Sequence, residues 1–256
     1  MAEISAVLAG STGLVGSHIL SDLHLLPTVR SIYAFTRRPL VGPSASKLHP
    51  IESADTSTWA SRFPASATPD GSDSPPDVFL SALGTTRAAA GGLTQQRAID
   101  VDLNAALARA AKDKGVRTYV LVSSGGADSH GWFPYARIKG ELEDVARGLG
   151  FAHLVILRPG MLLGERNDHR TAEAVLQGVA KGASRVLGTW ARDSWAVDAG
   201  VVARAAIRAA WLCAREEGKG EGAVWVMGHR EILDMGRHGW DEWVKEEKRK
   251  AKVKED

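Results

Sequence analysis

Short apolar runs alternate along this chain with longer stretches of helical period, the pattern left by a parallel sheet whose strands are joined by crossover helices. Ile4–Leu8, Ile32–Phe35, Val78–Leu80, Thr118–Val122 and Leu154–Leu157 predict strands, with Val224–Val226 as a candidate late strand. Leu14 to Leu25 predicts the first helix, Ile99 to Lys114 carries Leu103, Leu107 and Ala110 on one face, and Tyr135 to Leu149 predicts a third helical stretch. Each is about long enough to carry the chain back across a sheet. The expected fold class is α/β, a Rossmann-type doubly wound parallel sheet with a small C-terminal substrate-side region. At 256 residues one domain is expected, over 1–236, with small cap elements within 160–200. Two stretches break the rhythm. Phe63 to Asp77 is rich in Pro, Ser and Asp and reads as a surface loop. The tail 237–256 mixes Lys245, Glu246, Glu247, Lys248, Arg249 and Lys250 and reads as a solvated or frayed helix.

Composition narrows the partners rather than naming one. A formal charge of +2 is too small to argue for nucleic acid, and 44% hydrophobic with 24% charged residues is ordinary for a globular chain. The single cysteine, Cys213, lies among Ile207, Ala210, Trp211 and Leu212, which predicts a buried thiol, no disulfide and a reducing compartment. No apolar run reaches the length that crosses a bilayer. Glu3 and the strand at Ile4–Leu8 leave no room for a removable Arg-rich presequence, so the chain is expected to stay uncleaved, and any membrane attachment to be peripheral. A candidate for that attachment is the tail, where Trp240, Trp243 and Val244 adjoin Lys245, Lys248, Arg249, Lys250, Lys252 and Lys254. Trp190, Trp195, Trp211 and Trp225 fall among apolar neighbours and are read as core or substrate-wall residues. The eight histidines show no metal-ligand spacing, and Asp198 reads as the cap of a helix beginning near Ala199.

Three constellations carry chemistry. Gly10-Ser11-Thr12-Gly13-Leu14-Val15-Gly16 ends the first strand and opens a helix. Glycines there permit a tight turn, close approach of backbone amides to a pyrophosphate, and close packing of helix on strand. The second strand ends in Thr36-Arg37-Arg38-Pro39, where an acidic residue would bind the free ribose of NAD. Arg37 at that place favours a 2′-phosphate through paired, charge-assisted bonds, hence NADP(H), with Arg38 beside it. The third is Ser123-Ser124-Gly125 followed by Tyr135 and Lys139, which lie four apart and so on one helix face. A tyrosine with an ordinary pKa near 10 is a poor proton donor or base at neutral pH unless an ammonium stabilises its phenolate. Lys139 can supply that charge, and a serine hydroxyl can hold a carbonyl oxygen. Ser124, eleven residues before Tyr135, is the first candidate and Ser123 the second.

With these residues the chain resembles the atypical short-chain dehydrogenases, and among them the fungal "found in mitochondrial proteome" family, a relative of the human Tat-interacting oxidoreductase. The resemblance runs from Gly10 to about Gly228 and is carried by GSTGLVG (Gly10–Gly16), TRR (Thr36–Arg38), FLSALGTTRAAAGG (Phe79–Gly92), VLVSSGGADS (Val120–Ser129), YARIKGELE (Tyr135–Glu143) and LRPGMLLGERNDHR (Leu157–Arg170). It implies that Ala82, Leu83 and Gly84 line the adenosine side of the cofactor. It also implies that Arg158, Pro159 and Gly160 lie by the nicotinamide, and that Tyr135 and Lys139 touch the cofactor as well as the substrate. Asn167-Asp168-His169-Arg170 departs from the family's usual Gln-Glu-Ser-Arg, in the region expected to meet substrate. The resemblance implies residence on the mitochondrial outer membrane, as a peripheral protein facing the cytosol.

Two functions of different class follow. One is an NADPH-dependent reductase of a small carbonyl compound with Tyr135 as proton donor. The other is a scaffold or regulatory protein that binds NADP(H) and changes partner affinity without turnover. A sugar-nucleotide epimerase or dehydratase is a third reading, disfavoured because only about 100 residues follow the Tyr135 helix to build a cap.

Overall fold

The computed structural model describes residues 3–40, 46–68, 74–163 and 196–252. In chain order its strands are β1 (Ile4–Ala9), β2 (Val29–Thr36), β3 (Leu48–Glu52), β4 (Val78–Ser81), β5 (Thr118–Val122), β6 (His153–Leu157), β7 (Met161–Leu163), β8 (Ala196–Asp198) and β9 (Val224–Met227). Seven of them form one parallel sheet in the order β3-β2-β1-β4-β5-β6-β9, while β7 and β8 pair separately. The chain leaves β1 towards β2 and β3 and then returns to the other side of β1. The strand order therefore reverses between β1 and β4, and ligands of open α/β sheets bind at that crevice.

Both faces of the sheet are covered, which is why the strands read as continuous apolar runs and not as alternation. Ala6 and Leu8 of β1 face one core with α1 (Leu14–Leu25) and the Ala-rich helix Ala199–Ala214; Val7 and Ala9 face the other, with Phe79, Tyr119 and Leu121. After two short helices, α2 (Arg87–Ala90) and α3 (Leu93–Arg97), that second core is closed by a wider π-turn at Ala98–Leu103, then α4 (Asn104–Asp113) and α5 (Pro134–Gly148). The helix after β8, α6 (Ala199–Ala214), is capped as its sequence predicts: Asp198 Oδ1 accepts from the Gly200 N–H at 2.8 Å. Cys213 is buried, and burial pushes its thiol up to about 11. Trp211 and Trp225 are core residues; Trp190, Trp195 and the segment 167–170 lie outside the described residues.

Three features differ from the sequence expectation. The edge strand β3 carries Pro50 and His49 in place of an apolar run; a proline is tolerated there because the strand has a neighbour on one side only. The Phe63 to Asp77 stretch is anchored at its described ends. Phe63 and Ala67 are buried, and Asp77 Oδ2 accepts from both the N–H and the hydroxyl of Ser5 at 2.7 Å.

The tail is the third. After α7 (His229–Arg237), the helix α8 (Trp240–Lys252) is docked rather than frayed. Glu247 is fully buried and bonded by Arg215 (2.6 and 2.8 Å) and Thr28 (3.0 Å). Trp243 packs edge-on against Trp211 and stands 5.1 Å from Trp240, itself 7% exposed. The aromatic face proposed for a lipid interface is thus turned into the protein. Among the described residues no helix is long and apolar enough to cross a membrane.

Candidate active site

Gly10 closes the turn after β1 with φ +84°, and a Cβ on it would lie 2.6 Å from the Ala82 carbonyl. Its own carbonyl accepts from the Gly13 N–H at 2.9 Å. A Cβ on Gly16 would collide with that same carbonyl, so the turn folds only with glycine at both places. Gly13 caps α1 without a side-chain hydrogen bond and the first turn carries no acidic residue. The opening N–H groups of a helix lack intrahelical acceptors. Here those of Leu14, Val15 and Gly16 form a positive helix end at the β1/β4 crevice, which fits a dinucleotide phosphate. Ser11 is buried and its hydroxyl donates to the Phe35 carbonyl at 2.9 Å, tying the turn to β2; Thr12 is exposed, while Val15 packs into the core.

Arg37 and Arg38 follow β2 directly, and both are exposed. Neither guanidinium has a hydrogen bond or ion pair among the described residues. On the other side of β1, Ala82 continues the end of β4, its N–H donating to Ala9 at 3.0 Å, and Leu83 and Gly84 run on from it.

The structure separates the two serines. Ser123 is buried and its hydroxyl donates to Glu143 Oε1 at 2.5 Å. Ser124 is half-exposed and its hydroxyl has no partner among the described residues. Tyr135 stands in the first turn of α5, 48% exposed; Lys139, one turn on, is buried. The loop after β6 lies beside these groups: the Gly125 N–H donates to the Pro159 carbonyl at 2.8 Å, and the Gly160 N–H to His229 Nδ1 at 3.1 Å. The Arg158 guanidinium is held by Glu143 through Nη2 at 2.6 Å and Nε at 3.0 Å, which raises its pKa, so Arg158 braces α5.

Sequence reasoning missed the carboxylates beneath the site. Glu143 joins Ser123, Arg147 and Arg158; Asp100 lies against Lys139, with its Oδ2 3.5 Å from the ammonium. Asn104 is buried and donates to the carbonyls of Leu83 and Asp100. A signal existed. Gln96, Asp100 and Asn104 recur at four-residue spacing on a face that continues as buried Ala108 and Ala111.

Comparison with known proteins places the chain in a family. The protein of Aspergillus terreus named "Protein fmp52-1, mitochondrial" is 44% identical over 236 residues, 91% of this chain and 99% of the relative. The chain belongs to the fmp52 family. The Neurospora crassa member, "Protein fmp-52, mitochondrial", is 43% identical over 243 residues, 93% and 97% of the two chains. A family model described as HIM1 matches residues 74–187. Among solved structures, a double mutant of DesIV, a dTDP-glucose 4,6-dehydratase from Streptomyces venezuelae, superposes with a TM-score of 0.60 at 17% identity, covering 90% of this chain and 79% of that one. A Thermotoga maritima UDP-glucose 4-epimerase gives 0.58 at 16%, covering 87% and 76%. At such identities the likeness establishes for this fmp52 family member the Rossmann fold alone.

Proposed function

We propose that the protein is an NADP(H)-dependent oxidoreductase of the short-chain dehydrogenase type that reduces a small carbonyl compound. The observation that carries this reading is the position of Ser124, uncommitted and half-exposed, with Tyr135 half-exposed and Lys139 one turn behind it, beside the crevice that the glycine turn opens. The glycine turn, the α1 N-terminus and the ends of β2 and β4 would hold the dinucleotide, and Arg37 and Arg38 its 2′-phosphate. Bound there, the cofactor supplies a hydride. The protein's own residues manage the oxygen: Ser124 donates a hydrogen bond to the carbonyl oxygen, Tyr135 Oη gives it a proton, and the Lys139 ammonium favours that loss. Trp132 and Phe133, exposed just ahead of Tyr135, suit a substrate with an apolar body.

The relatives are named mitochondrial, and the proposed place is the cytosolic face of the outer membrane. Attachment there is peripheral and uses a surface other than the docked face of α8. In intact mitochondria the protein is expected to be digested by external protease and released by carbonate; protection or retention contradicts the placement.

Titration calorimetry tests the cofactor. NADPH is expected to bind at least about tenfold more tightly than NADH, a difference of about 1.4 kcal/mol; equal affinities would overturn the assignment. NADPH binding without oxidation across a panel of carbonyl compounds would leave the scaffold reading in its place.

A further inference from the structure

We infer that Asp100 is a positioning residue for Lys139, holding its ammonium on the nicotinamide side of the site before any dinucleotide arrives; the inference rests on the dinucleotide reading above. Asp100 sits in the π-turn Ala98–Leu103 and is fully buried. Insertions of this kind in a helix often mark functional sites, because they turn a side chain out of the regular register. The residue is held through both its side chain and its backbone. Its Oδ1 accepts from the Thr85 N–H at 2.7 Å, in the loop leaving β4, and its backbone carbonyl accepts from Asn104 Nδ2 at 3.1 Å. The remaining oxygen, Oδ2, has no hydrogen-bond partner among the described residues and faces Lys139 Nζ at 3.5 Å.

Lys139 is only 5% exposed, and Asp100 is the one acidic group paired with it among the described residues. Of the other carboxylates on α5, Glu141 is paired with Arg97 and Glu143 with Arg158 and Arg147. Burial raises the pKa of Asp100 and outweighs the opposing effect of Lys139 and the Thr85 N–H, of which Lys139 is the larger. Gly84 completes the arrangement. A Cβ there would lie 3.3 Å from Lys139 Nζ and 3.8 Å from both carboxylate oxygens of Asp100. The absence of a side chain at Gly84 therefore leaves the end of β4 open above the pair, and a ligand lying across it comes within reach of the ammonium. Preorganisation of this kind improves binding by removing the cost of ordering a long side chain.

The test uses the whole protein and two ligands. NADPH spans both halves of the site, whereas 2′,5′-ADP carries the adenosine phosphates and no nicotinamide half. Asp100→Asn keeps an acceptor for Thr85 and removes the charge. It is expected to weaken NADPH about fivefold or more while leaving 2′,5′-ADP within about twofold. In a Lys139→Met background the same substitution should change neither. Equal weakening of both ligands would make Asp100 a structural residue of the β4 loop, and no weakening of NADPH would make it irrelevant; either result overturns the inference. If Asp100→Asn alone does not fold, the double variant Asp100→Asn/Lys139→Met is compared with Lys139→Met. Matching NADPH affinities support the inference, and a further loss overturns it. A parent protein that binds neither ligand brings down the dinucleotide reading itself, and is told apart by that result.

Discussion

The two sides of the crevice are built by opposite means. Beside β1 and β2 the site is backbone and small residues: a glycine turn, a bare helix N-terminus, and two arginines whose guanidinium groups have no partner among the described residues. Beside β5 and β6 polar side chains rest on buried carboxylates, Asp100 under Lys139 and Glu143 under Ser123 and Arg158. The first side has positive charge with no counter-charge among the described residues. The second carries its own negative charge, and its geometry is set before a ligand comes. On the proposed reading these are a binding half and a chemical half, since phosphate recognition needs exposed donors and proton transfer needs fixed atoms.

Substitutions can break this contrast, and the largest effect belongs to the backbone side. Gly16→Ala drives a methyl into the Gly10 carbonyl and is expected to cost about 3 kcal/mol or more, with loss of NADPH binding. Gly126→Ala, with nothing within 4 Å, should leave the denaturation midpoint unchanged. Next comes the paired side. Glu143→Ala strands Arg158 and the Ser123 hydroxyl and should cost about 3 kcal/mol by denaturant unfolding, the lower end for a broken buried pair because Arg158 keeps part of its surface in water. If the protein still folds, its affinity for 2′,5′-ADP should survive, because the binding half does not lean on Glu143.

A third variant probes the docked tail. Burial raises the pKa of Glu247, but the bonds from Arg215 and Thr28 and the charge of Lys250 outweigh it, and the net value lies below that of an ordinary glutamate. A depressed pKa gives stability that is present above the unfolded value of about 4.5 and lost as pH falls through the lower folded one. The fluorescence of Trp240 and Trp243 should therefore report undocking of α8 below that pH. Glu247→Gln should remove the step and cost about 2 kcal/mol at neutral pH. The smallest effect sharpens the comparison on the binding side: Arg37→Ala should weaken NADPH about tenfold and leave NADH unchanged.

The same contrast explains what could be read from the sequence. The glycine turn was legible because its requirements are local: three glycines, a strand before them and a helix of the right period after, and the α1 boundaries agree with the expected ones. Spacing ranked Ser124 ahead of Ser123 but did not show what holds Ser123, since neighbouring residues at a strand end face opposite ways and their partners depend on what packs beneath. That partner, Glu143, stands 20 positions away. Asp100 precedes Lys139 on a separate helix, and the two meet only because β4 and β5 are neighbours in the sheet. Edge strand β3 was missed because Pro50 and His49 interrupt its apolar pattern, and the docking of α8 because one buried glutamate, Glu247, among many charged neighbours has no local mark.

The central claim, that the paired half performs proton transfer for a carbonyl bound beside the dinucleotide, rests on Tyr135. The direct measurement is NADPH oxidation by the parent protein and by Tyr135→Phe across one panel of carbonyl compounds, with NADPH affinity recorded for both. The account predicts turnover of at least one carbonyl by the parent, a loss of about 100-fold or more in the variant, and nearly equal affinities. Turnover that survives in Tyr135→Phe would contradict it.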